Sequence, residues 1–146
     1  MKKTAKKLYT VGAIVAGVFG AIYLALAIIL FIFANNEEVQ TMVAEFVPYL
    51  NPIEDLDLLV AGVYLSNTGF SFLIMSIASF VAIGIFVKAR EQLNNLLYPP
   101  KALFIVSIIF GCYTGCHFGT AAGILSLIYR ANELKNKNNN KVVSEQ

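Results

Sequence analysis

Residues 101–130 read K-ALFIVSIIFGCYTGCHFGTAAGILSLIY-R, and whether this stretch runs straight or turns back decides the fold. Between Lys101 and Arg130 lie 28 residues without a formal charge, apart from whatever His117 carries. Gly111, Gly115, Gly119 and Gly123 recur in it at a strict spacing of four. Both cysteines, the single histidine and four of the ten glycines are here. On one continuous helix the four glycines would form a groove along one face, with Ser107 extending it. Split by a turn, Gly111 and Gly115 would end one helix, and Gly119 and Gly123 would line the next.

Around this stretch the chain is strongly apolar. Of its 146 residues 58% are hydrophobic and only 14% charged, where a soluble domain has about a quarter charged. Leu8–Asn36, Leu58–Val87 and Ala102–Tyr129 are uncharged runs. Each is longer than the roughly 20 residues a helix needs to cross a bilayer core. One all-α membrane domain is expected, with lipid as the solvent for most of the chain. Two cysteines make no disulfide framework.

The N-terminus, MKKTAKK, sets four lysines directly before the first run. The run is too long for the ~7–15-residue apolar core of a signal peptide, so it reads as a retained span over about 8–34. Gly12, Ala16 and Gly20 form one small-residue stripe, and Ala13, Gly17, Ala21 and Ala25 another. Small side chains let helix backbones approach closely in lipid. Asn36 is placed to cap a second helix, over about 37–50, with Glu37 and Glu38 in its first turn. Val39, Met42, Val43, Phe46, Val47 and Leu50 make one apolar stripe there. With no basic residue on its polar face, this outer helix is expected to dock on the protein's own helices rather than on lipid.

Asn51, Pro52 and Glu54 read as a helix start, opening a long span over about 56–89. Its polar Asn67 and Ser71, one turn apart, are expected to face a neighbouring helix. LNNLLYPP at 93–100 is a connection, and the polar tail 135–146 reads as disordered.

The loop from Asn35 to Asp57 carries six acidic residues and no Lys or Arg. Basic residues mark the inner side, so this loop is expected outside and the N-terminus inside. If 102–129 is a single span, seven basic residues lie inside and four outside. If it is a hairpin, all eleven lie inside. Charge therefore favours two short helices, about 97–113 and 118–134, and a four-helix bundle. Length favours the alternative, three long spans, because 28 residues are fewer than two full crossings require.

MKKTAKK before a small-residue span, the acidic outer helix, the turn at Pro100-Lys101 and the closing AAGILSLIYR resemble a family of small tetraspan membrane proteins of unknown function from Firmicutes. Its members open M-K-R-T-A-E and close A-G-I-L-x-L-v-r. The resemblance covers most of the chain and implies a cytoplasmic C-terminus. It brings no activity, cofactor or site residues. The last apolar region here is several residues shorter than it implies.

Cys112, Cys116 and His117 offer soft ligands, but three ligands on successive turns are not a tetrahedral site without a fourth. Cysteine more often serves as a small apolar residue. Glu54, Asp55 and Asp57 read as a solvated helix start rather than a cation site. No catalytic, cofactor or metal residues are assigned. The candidate site is one of helix packing, at Gly12, Gly17, Gly20, Gly111, Gly115, Gly119 and Gly123, with Asn67 and Ser71 as polar contacts inside the membrane. The expected partners are the lipid bilayer and a membrane protein or a second copy, not nucleic acid. A non-catalytic accessory or assembly role is expected, in a multi-pass protein of the cell membrane. The alternative is a subunit of an oligomeric transporter or pore, with Ser66, Asn67, Thr68 and Ser71 facing a lumen.

Overall fold

The computed structural model describes the backbone of residues 1–50, 58–95 and 101–144, and side chains within 1–45, 60–93 and 101–137. Five α-helices make up these residues: α1 (Lys2–Phe33), α2 (Glu37–Leu50), α3 (Leu58–Asn95), α4 (Lys101–Tyr113) and α5 (His117–Ser144). The helix start expected at Asn51–Glu54, the acidic residues Glu54, Asp55 and Asp57, and the Pro99-Pro100 connection lie outside the described residues.

Two of the helices, α1 and α3, are long and apolar enough to cross a membrane. The run 102–129 is not one helix. It breaks at Thr114–Cys116, and α4 packs along α5 as a hairpin. The break is built from local bonds. Thr114 N–H donates to Phe110 O (3.0 Å) and Gly115 N–H to Cys112 O (3.3 Å), so the last turn of α4 tightens. Gly115 then takes φ +71°, a left-handed conformation that costs other L-residues about 1–2 kcal/mol. Cys116 O accepts from Gly119 N–H and Thr120 N–H, which starts α5. Gly115→Ala should therefore lose about 1 kcal/mol in thermal unfolding in micelles, and Gly115→Asn less, because asparagine tolerates this conformation. Equal stability of all three chains would contradict the turn.

At its far end α5 continues to Ser144, where composition alone leads one to expect disorder from residue 135. Adding a residue to an existing helix is far easier than starting one. The Tyr129–Glu133 side-chain hydrogen bond and the Glu133/Lys137 spacing of four also support continuation.

The chain divides into two compact units. One comprises Met1–Phe19 and Ala78–Gln146, the other Gly20–Ile77. In the second, α1 ends with Asn35 Nδ2 donating to Phe31 O (2.9 Å). Asn36 Oδ1 then accepts from the N–H groups of Glu38 (3.0 Å) and Val39 (3.3 Å), capping α2. Gln40 Nε2 donates to Ala34 O (2.6 Å) and lies over Gly62 of α3. Gln40 thus ties the outer helix to the end of α1 and to α3; Val39 and Val43 of the expected stripe are half-buried, while Met42 is exposed. The side chains of Phe46, Val47 and Leu50 lie outside the described residues.

Candidate functional site

Small residues determine where the helices of each unit meet. In the Gly20–Ile77 unit, Gly62, Gly69 and Ser76 of α3 recur every seven residues. Phe31 covers Gly69, and its ring meets Phe70 edge-on at 5.1 Å. Ser76, fully buried, donates from Oγ to Gly20 O at 2.8 Å. Tyr23 stacks with Phe72 at 6.0 Å. Small residues at a spacing of seven let two helices lie nearly antiparallel at close range.

The second stripe read from α1 does not pack throughout. Ala13 and Gly17 are half-buried, whereas Ala21 and Ala25 are exposed. The first stripe, Gly12, Ala16 and Gly20, is buried. Asn67 and Ser71 lie on an open side of α3. Both are exposed, and the Ser71 hydroxyl bonds back to Asn67 O in its own helix (3.1 Å). Ser76 and Ser79 are the buried hydroxyls of α3. The seven-residue spacing of Gly62, Gly69 and Ser76 was the available signal, hidden because α3 is apolar on every side.

In the Met1–Phe19 and Ala78–Gln146 unit, α1, α3, α4 and α5 meet in two layers. The lower layer holds Tyr9, Phe86, Ser107 and Ser126, all buried. Tyr9 and Phe86 rings lie 6.1 Å apart. Ser107 Oγ donates its one proton to Phe104 O (2.7 Å), so in the 3.0 Å contact with Tyr9 the phenol must be the donor. Ser126 lies beside the Tyr9 hydroxyl and donates its own proton to Ala122 O at 2.7 Å. Three hydroxyls on three helices are thus satisfied inside the core, as buried polar groups must be.

The upper layer is built on glycine. The hydrogen of Gly12 faces the Gly119 backbone, where a Cβ would stand 3.1 Å from Gly119 N. Gly119 itself lies under the Phe86 ring, with no room for a methyl group. A Cβ on Gly111 would meet Thr120 N at 2.6 Å, and one on Gly123 would meet Ile108 Cγ1 at 2.6 Å. Gly17 is different, since its nearest neighbour, Ile83 Cδ1, would be at an ordinary 3.5 Å. The spacing-of-four series therefore has two roles. Gly111, Gly119 and Gly123 admit neighbouring helices, and Gly115, with open space around it, makes the turn.

The turn also separates the soft ligands. Cys116 is buried and donates from Sγ to Gly12 O at 3.2 Å. Cys112 is exposed beside Thr120 Oγ1 (3.6 Å), and His117 is exposed. Among the described residues no group of three His, Cys, Asp or Glu side chains could hold a metal ion. What the junction can do is hold helices together. No protein-family profile, curated protein or solved structure matches the chain.

Proposed function

We propose that this chain is a small integral membrane protein with an accessory or assembly role, its long helices α1 and α3 and its short helices α4 and α5 forming a tetraspan bundle. One observation carries the membrane reading. Only 17% of the most apolar window of α1, and 22% of that of α3, is buried within the chain. A core helix of a water-soluble protein would be mostly covered. Here Ile14, Val18, Ile28, Ile32, Ile74 and Phe80 are among the large apolar side chains left open, far more than a soluble monomer exposes.

Charge supports an orientation. Residues 20–77 contain none of the eleven Lys and Arg side chains and six of the nine acidic ones. In the other unit, Lys2, Lys3, Lys6 and Lys7 precede the Tyr9 layer on α1. Lys88 and Arg90 follow it on α3, Lys101 precedes it on α4, and Arg130 follows it on α5. They gather at one end, as expected for a cytoplasmic face with both termini inside and 35–57 outside. The bacterial tetraspan resemblance points the same way.

The accessory role is supported by how the reactive groups are used. Ser76 and Tyr9 each join one helix to another, and Cys116 joins the turn between α4 and α5 to α1. Extraction of cell membranes in mild detergent should co-purify the chain with another membrane protein or with itself. A stable monomer without a partner under every growth condition would overturn that role.

A further inference from the structure

On its open side α3 presents Val60, Val63, Asn67, Ser71 and Ile74, all exposed. Val60, Asn67 and Ile74 repeat every seven residues, with Val63 and Ser71 between them. They share one face of the helix with a single carboxamide at its middle, and one asparagine on an apolar helix face is the kind of residue that fixes register and oligomeric state where helices pair. Asn67 is the tenth residue of the uncharged run Leu58–Val87. It lies about 8 Å from the middle of that run, inside a hydrocarbon layer roughly 30 Å thick. Its carboxamide makes no hydrogen bond to a described side chain or backbone group. The neighbouring hydroxyls are already used, Ser71 Oγ donating to Asn67 O and Thr68 Oγ1 to Tyr64 O.

We propose that this face of α3 is a homodimer interface, in which Asn67 pairs with Asn67 of a second copy. This rests on the membrane reading. Two features select a second copy over another protein. A carboxamide both donates and accepts, so it complements itself across a two-fold axis. Copies inserted in one orientation also hold Asn67 at the same depth, whereas an unrelated helix would need its own polar group at that depth. The flanking Val60, Val63 and Ile74 supply the apolar packing.

The test uses the full chain in lipid vesicles, after carbonate extraction has been applied to the wild type and each variant. Energy transfer between labelled copies, titrated against protein density, should show dimers. Asn67→Leu should weaken association roughly three- to tenfold, and Asn67→Gln by less. A photoreactive residue at Val60 or Ile74 should capture a second copy, and one at Ile14 on α1 should not. A monomeric wild type, an Asn67→Leu variant that associates unchanged, or equal capture from Ile14 would overturn the interface. Capture of a different protein from Val60 in native membranes would overturn the second-copy assignment. Release of the wild type by carbonate would overturn the membrane reading itself, and the dimer with it.

Discussion

Gly119→Ala should destabilise the bundle by about 3 kcal/mol, the upper end of what overpacking a tight core costs. The added methyl would fall within the Phe86 ring, which is fully buried and bounded by Tyr9 on one side. With the ring fully buried, making room for the methyl means repacking the layer around Phe86 or separating α5 from α3. Separation would also break the Cys116 Sγ–Gly12 O bond and the Gly12–Gly119 backbone approach. The obstruction is one side chain, so shrinking it should relieve the clash. Gly119→Ala with Phe86→Leu should recover most of the loss, although Phe86→Leu alone leaves a gap and is itself destabilising. Unfolding of the four proteins in micelles completes a double-mutant cycle with a large coupling term. Additive losses would show that Gly119 and Phe86 do not meet.

Gly111→Ala should cost as much and resist rescue. Its methyl would stand 2.6 Å from Thr120 N and 3.0 Å from Cys116 O, both backbone atoms at the start of α5. Thr120 Oγ1 is equally close, but removing it with Thr120→Ala leaves the backbone in place. The hairpin must therefore open, at roughly 2–3 kcal/mol, with Thr120→Ala restoring little. Gly17→Ala is the matched control, because its methyl would make only ordinary contact with Ile83. A rescue of Gly111→Ala by Thr120→Ala would mean that α4 and α5 are less closely apposed than described.

Much of the helical layout is readable from the residues. The uncharged runs locate α1 and α3, and Asn36 with Glu37 and Glu38 marks the start of α2. The glycine spacing identifies the crowded part of the chain but not which glycine turns. Four glycines at intervals of four look alike until the backbone bonds of Thr114 and Gly115 distinguish the turn from the contacts. Buried hydroxyls were harder to locate. Asn67 and Ser71 stand out as polar in an apolar run, whereas Ser76, Ser79, Ser107 and Ser126 are small and match their surroundings. A helix apolar on every side gives no periodic contrast to tell its inner face from its outer one. The extension of α5 through KNKNNNK is invisible to composition because it depends on the helix already formed before it.

The measurement that bears most directly on the proposed bundle is the side on which Gln146 lies. Two reporters, one active only in the cytoplasm and one only outside the membrane, are fused in turn after Gln146 in cells. A hairpin of α4 and α5 with all eleven basic residues inside predicts activity from the cytoplasmic reporter and silence from the external one. Activity from the external reporter alone would place the two ends of the chain on opposite sides and contradict the four-helix arrangement.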